Sequence, residues 1–427
     1  MTAAPLPPQT SEKTGFSRDP EGVACLGGQR IQKILEEAGV ETPAYIYDLE
    51  GIRERLKKLD AAFGDTPHLI AYALKANNAG TILRQVAELG AGVDAVSGGE
   101  LLLARRAGVP AERIVLSGVA KRNDELDLSL SEGIFSIQAE SPGEVGRIIE
   151  RARLAGKKAR VSLRINPGVE IDSHAHISTG HDRAKFGIAA SQIRDVASLL
   201  SDCPHGSLVG LSTHVGSMLK EPSGYLASAR VVLTHAEQMR SAGHPIEFVD
   251  FGGGFGIDYG GAPAEDPAAF AEAAVQLLRE SSVRDLKLVV EPGRSIVGPF
   301  GVLVARVVQQ KTSGPISWVL IDAGMNDLMR PALYGARHRV EPVDRPPGAE
   351  LHHIAGPVCE STDHFGEHAL GDIPEYVVLR DAGAYGYVMG SEYNGRPLPS
   401  EVFVDGGKVV HVARTRGVEA WIADRLR

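Results

Sequence analysis

Between about residues 68 and 291, short apolar, β-rich runs alternate with longer stretches whose apolar residues return every three or four positions. The short runs are HLIAYALK (68–75), GVDAVS (92–97), RIVLSG (113–118), IFSIQA (134–139), RVSLRIN (160–166), LVGLSTHVG (208–216), IEFVDF (246–251) and KLVVE (287–291). Bounded by turn residues, they read as strands. The stretches between them, such as GTILRQVAELG (80–90) and DPAAFAEAAVQLLRE (266–280), read as helices. Eight strand–helix units in about two hundred residues predict an α/β fold of the (β/α)8 barrel type. An open, doubly wound sheet shares this alternation, because a count of strands does not show closure.

The texture changes after Glu291. GVLVARVVQQK (301–311), SWVLIDAG (317–324), EYVVLRDAG (375–383) and KVVHVART (408–415) are strands separated by Gly, Pro and Asp turns, with few helical stretches. The expected organisation is a barrel over residues 45–298 and a mainly-β domain over 299–427 that recruits residues 21–44. Residues 1–20, rich in Pro, Ser and Thr, read as a flexible lead-in.

Composition narrows the function classes. A formal charge of −9 argues against a nucleic-acid or acidic-membrane surface. No apolar run is long enough to span a bilayer, and the start lacks a basic segment followed by an apolar one. The three cysteines are Cys25, Cys203 and Cys359, far apart and without a CxxC pair. A disulfide framework is therefore not expected, and a cytoplasmic location is. His174, His176, His352 and His353 lack the spacing of a hydrolytic zinc site, so no catalytic metal is expected.

In a barrel the chemistry sits at the C-terminal strand ends. The first run ends in Lys75, the second in Ser97 to Glu100, the fifth in Arg164 to Asn166 and the sixth in His214 to Ser217. The seventh ends in Gly252, Gly253 and Gly254, the eighth in Glu291, Gly293 and Arg294. Lys75 fits either a lysine whose stem lies on apolar surface or a desolvated amine able to form a Schiff base. The triglycine fits a tight turn or a set of unobstructed N–H donors for a phosphate, to which Gly293 and Arg294 add. Glu291 could pair with Arg294 or hold a pyridine nitrogen protonated, and His214 could be a core histidine or stack on a ring. A carbonyl-seeking lysine beside a phosphate grip points to pyridoxal phosphate, with sugar phosphates as the alternative ligand.

The chain resembles the pyridoxal-phosphate decarboxylases with alanine-racemase-like barrels from about residue 40 to 410. The resemblance rests on YALKAN, GVDAVSGGE, RINPG, HISTG, KFG, HVGS, DFGGGFG, EPGRS, MRPALYGARH, GPVCEST and DAGAYG, in that order. It implies that Lys75 carries the cofactor, that His214 stacks on its ring and that Glu291 meets the pyridine nitrogen. Ser217, Gly252, Gly253, Gly254, Gly293 and Arg294 would hold the phosphate with Tyr385 nearby, and Asp94, Glu100 and Arg164 would support the cofactor and Lys75. It also implies a head-to-tail homodimer with sites at the interface, where Cys359 and Glu360 of one chain enter the site of the other and Cys359 donates the proton.

Within the family the resemblance is nearest to members that turn meso-2,6-diaminopimelate into L-lysine and carbon dioxide. Arg294, Arg330 and Tyr334 would read the substrate's distal carboxylate and Glu360 its distal ammonium, with Tyr385 also in contact. Met218, the SGVAKRNDEL stretch and Glu392 depart from the usual pattern. They keep ornithine, D-ornithine, D-lysine or a carrier-bound glutamyl group as alternative substrates; a racemase, since the barrel class includes them, and a non-catalytic homologue are the rival readings.

Overall fold

The computed structural model describes residues 15–168 and 185–427; HISTG (176–180), His174 and His176 lie outside the described residues. All eight runs form strands: His68–Ala73, Gly92–Ala95, Ile114–Leu116, Ser136–Ala139, Ala159–Asn166, Gly206–Thr213, Phe248–Gly253 and Lys287–Glu291. Each pairs in parallel with the next, and the eighth pairs with the first through Leu288 opposite His68. The sheet is closed, so the barrel holds and the open-sheet alternative falls. Helices on the outside and packed side chains inside bury both strand faces, which is why these runs lack polar alternation.

Local chemistry sets the helices. Asp266 accepts the Ala268 N–H at 2.9 Å and Pro267 opens the helix Pro267–Arg279. Beyond Pro267 and Ala268, its buried residues are Phe270, Ala271, Ala274, Val275 and Leu278, one face at helical spacing. The barrel interior contains Leu69, Ala71, Val115, Phe135, Val209, Phe248 and Val289. The Phe135 and Phe248 rings lie 4.7 Å apart. A methyl group at Gly210 would come within 2.3 Å of the Phe248 ring, so the glycine in LVGLSTHVG makes room for this aromatic plug. Phe248 and Val209 sit near the strand starts, which leaves the opposite ends for polar groups.

The chain divides into two compact units: Arg53–Gly298, which is the barrel, and a second that joins residues up to Ile52 to Pro299–Arg427. The division falls within the helix Leu49–Ala61. In the second unit the long strand Gly301–Ser313 pairs antiparallel with Ala44–Asp48, which pairs in parallel with Ser400–Asp405. Ile46, Val302, Val304, Val378, Val402 and Val404 pack with Ile31, Ile34 and Leu35 of the helix Ile31–Ala38. The Ala44–Asp48 strand thus lies in this sheet, so residues 45–48 belong to the second unit and not to the barrel expected to begin at residue 45. Phe16–Arg18, inside the expected lead-in, is likewise a strand; it pairs with Ala24–Leu26, and Arg18 reaches Glu341 at 2.8 Å. Among the described residues no helix is long and apolar enough to cross a membrane.

Glu401 offers a test of this core. Burial pushes its carboxyl up from 4.5 to about 7, against the pull of Tyr47. The folded form then holds an extra proton between these values, so this group's contribution to stability is full below 4.5 and is lost as pH rises to about 7. Glu401→Gln cannot titrate. The melting temperature of the variant relative to the parent is expected to climb from pH 4.5 to 7 and then level. A difference independent of pH would contradict the assignment.

Candidate active site

Lys75 follows the first strand in a 3-10 turn, Leu74–Ala76. Its Nζ donates to Asp94 Oδ2 at 2.8 Å, and Ser117 donates to Asp94 Oδ1. Asp94 ends in the interior with no exposure, so the lysine is anchored to a buried carboxylate while its own side chain stays partly open. Ser97 caps the helix Gly98–Arg106 by accepting the Glu100 N–H at 3.2 Å, and Glu100 in return accepts the Val96 N–H at 2.8 Å. Burial, then the charge of Asp94, push the Glu100 carboxyl up, against the Val96 N–H and Lys75.

Arg164 is buried, donates to Glu140 at 3.0 Å and lies over the Phe186 ring at 4.8 Å. Its Nη2 reaches the carbonyl of His214 at 3.5 Å. The His214 Nδ1 accepts the Gly253 N–H at 3.3 Å and lies 3.6 Å from Glu291. Gln138 donates to Glu291 at 3.5 Å.

Behind Glu291 stands a second carboxyl, Asp250, which accepts the Gly252 N–H at 2.8 Å. Burial raises both acids. For Glu291 the contact with His214 and the charge of Lys75 outweigh burial and hold it at about 2. Asp250, wholly buried with the charge of Glu291 beside it, is pushed well above its ordinary value. The two acids are thus driven apart, Asp250 upward and Glu291 downward.

The glycines form a cradle without room for side chains. A Cβ would lie 2.3 Å from the Thr213 carbonyl at Gly252, 1.9 Å from the Glu291 carbonyl at Gly253 and 2.1 Å from the Gly216 carbonyl at Gly254. Gly252 and Gly254 also take left-handed φ values of 70° and 90°. Gly293 precedes the short helix Arg294–Val297, and a Cβ there would meet Ala73 and Ala76 at 3.0 Å. Arg294 donates to Tyr259 at 2.8 Å and to Ser217 at 3.0 Å. Gly253→Ala is expected to force the seventh and eighth strands apart and cost about 2 kcal/mol or more. A lowered melting temperature together with weaker cofactor retention would bear this out; an unchanged pair would contradict it.

The remaining candidates belong to the second unit. GPVCESTD (356–363) is built around Asp363, whose oxygens accept the N–H groups of Val358 and Met325 at 2.6 Å each. Cys359 and Glu360 are exposed on this turn. Asn394, held in the left-handed region at φ 58°, accepts the Cys359 N–H at 2.9 Å, and Tyr393 donates to Glu360 at 2.5 Å. Glu392 lies 3.7 Å from Arg425, so its charge faces a cation on the C-terminal helix Gly417–Arg425. Arg330 opens the helix Arg330–Tyr334, Tyr334 is exposed and Tyr385 takes φ 55°.

The sequence reading passed over Ser117, Gln138, Glu140, Asp250 and Tyr259 in the barrel and Tyr393 and Asn394 outside it. Asp250 had a signal, an acid inside the apolar run IEFVDF. The others had none short of the fold.

An amine anchored beside a buried acid, a carboxylate kept ionised and a side-chain-free cradle next to an arginine together suit a phosphorylated pyridine aldehyde. The comparisons agree. Residues 49–298 match the family described as pyridoxal-dependent decarboxylase, pyridoxal binding domain. The diaminopimelate decarboxylase of Zymomonas mobilis is 36% identical over 414 residues, covering 95% of this chain and 97% of that protein. That of Neisseria meningitidis is 38% identical over 391 residues, covering 90% and 95%. The crystal structure of the Helicobacter pylori diaminopimelate decarboxylase complexed with L-lysine superposes with a TM-score of 0.85 at 33% identity, covering 90% of this chain and 97% of that one. The chain thus belongs to the pyridoxal-dependent decarboxylases.

Proposed function

We propose that this enzyme removes the carboxylate from one end of meso-2,6-diaminopimelate, giving L-lysine and carbon dioxide as the last step of lysine formation. The supporting observation is the full-length likeness, at 36% and 38% identity, to two diaminopimelate decarboxylases. L-Lysine is the ligand of the Helicobacter structure and would be the product here.

Pyridoxal phosphate, when bound, accepts the electron pair left on the α-carbon as carbon dioxide departs. The chain's residues do the rest. Lys75 is the amine that would join the cofactor and be displaced by the substrate's amine. Glu291, held low, would keep the pyridine nitrogen protonated, with Asp250, pushed up, behind it. His214 would lie against the ring. Gly252 to Gly254, Gly293, Ser217 and Arg294 would hold the phosphate. Asp94 keeps Lys75 in place, with Glu100 and Arg164 supporting the same end of the barrel.

The α-carbon must then take a proton in place of the lost carboxylate. The Cys359 thiol would give it, its S–H bond breaking as the C–H bond forms, and the resulting thiolate would regain a proton from solvent. Arg330, Arg294 and Tyr334 would bind the distal carboxylate, Glu360 the distal ammonium and Tyr385 would stand alongside. We place Cys359 and Glu360 in the site of a second copy, in a homodimer with shared sites. Their exposure on a turn held by Asp363, Asn394 and Tyr393 supports this reading. Three free thiols fit a cytoplasmic location. Carbon dioxide release from meso-diaminopimelate, ornithine and D-lysine, assayed in parallel, tests the substrate.

A further inference from the structure

We infer that His338 aims Arg330 at the carboxylate at the far end of the substrate and so sets the enzyme's preference for a dicarboxylate; the inference rests on the role given to Arg330 above. Arg330 and His338 are both buried, at 6% and 1% exposure. Arg330 begins a short helix with Pro331 in its first turn, and Gly335 ends it in the left-handed region at φ 61°. That reversal brings His338 back onto the arginine it follows. Arg330 Nη1 lies 2.6 Å from His338 Nε2, and His338 Nδ1 lies 2.9 Å from the Arg380 carbonyl.

The two contacts fix the ring chemistry. A guanidinium only donates, so Nε2 must be the bare, accepting nitrogen; a carbonyl only accepts, so Nδ1 must carry the hydrogen. One neutral tautomer satisfies both. One contact of Arg330 is thus the uncharged imidazole of His338, which orients the guanidinium without itself neutralising it. Arg380 also donates its N–H to the Arg339 carbonyl at 2.9 Å, bracing the imidazole against the strand end that leads into DAGAYG. A charged fork with a fixed direction suits a planar carboxylate.

Two substitutions separate the ring's contacts. His338→Asn places an amide near Nδ1 and keeps the bond to Arg380 while losing the acceptor for Arg330. His338→Gln reaches the Nε2 position and keeps the acceptor while losing the bond to Arg380. The Asn variant is expected to raise KM for meso-diaminopimelate roughly 10- to 100-fold with little change in kcat. Its inhibition by 1,5-diaminopentane, which has no distal carboxylate, should be unchanged. The Gln variant should keep KM within about threefold. KM raised equally in both, KM unchanged in Asn, or inhibition by 1,5-diaminopentane weakened in step with KM would overturn the inference. A KM raised tenfold by Gln alone would overturn it as well. Absence of turnover in the parent enzyme would instead count against the substrate proposal.

Discussion

Lys75→Ala is expected to abolish turnover, with a fall on the order of 10⁴-fold or more, the scale seen when a group central to a covalent mechanism is removed. In the parent, borohydride should fix the cofactor's aldehyde carbon to Lys75 as a secondary amine; in the variant that label should vanish. The geometry adds a complication that can be turned to use. Lys75 is 2.8 Å from Asp94, which is fully buried and also bonded by Ser117. Removing the amine leaves a buried carboxylate without its cation, at a cost of about 1–3 kcal/mol. A lowered melting temperature alone would therefore say nothing about chemistry. The double variant Lys75→Ala, Asp94→Asn should recover stability but neither label nor turnover. Turnover restored along with stability would mean that Lys75 acts as a structural cation only.

Cys359→Ala should behave differently: the cofactor stays bound and labelled, while turnover drops by roughly 10²- to 10⁴-fold, the usual worth of a positioned proton donor. The fold should survive, since the thiol is exposed and the turn is held by Asp363 and Asn394 through backbone N–H groups. Mixing the inactive Lys75→Ala and Cys359→Ala proteins tests the shared site. Random reassortment makes half the dimers mixed, each with one complete site of two, so activity should return to about a quarter of the parent's. Mixed dimers that form yet stay inactive would exclude a cysteine acting across the interface. Full turnover in the single cysteine variant would remove it as the proton donor.

The barrel was legible because its strands, buried on both faces, appear as uninterrupted apolar runs, and because Lys75, His214 and Glu291 stand out at their ends. Closure was not, since it depends on pairing between Lys287–Glu291 and His68–Ala73, more than two hundred residues apart in sequence. The Ala44–Asp48 strand shows the same limit. Its five residues are all buried, which does not tell which sheet holds them; pairing with Gly301–Ser313 and Ser400–Asp405 places it in the second unit. In the site, the glycine cradle was visible as composition, but the reason for each glycine was not. Gly253 is required by the Glu291 carbonyl on the next strand, a contact no local pattern announces. The upward push on Asp250 and the tautomer of His338 follow from neighbours brought in by the fold. Glu392 was visible as an unexpected charge, and its position 3.7 Å from Arg425 gives that charge a structural partner.

A decarboxylase that reads a second carboxylate at the far end of its substrate is expected to discriminate among amino acids that differ there. Purified enzyme supplied with pyridoxal phosphate and offered meso-diaminopimelate, ornithine or D-lysine separately should release carbon dioxide from meso-diaminopimelate, with one L-lysine formed per molecule released, and far more slowly from the other two. Release that is absent with meso-diaminopimelate, or faster with ornithine or D-lysine, would contradict that expectation.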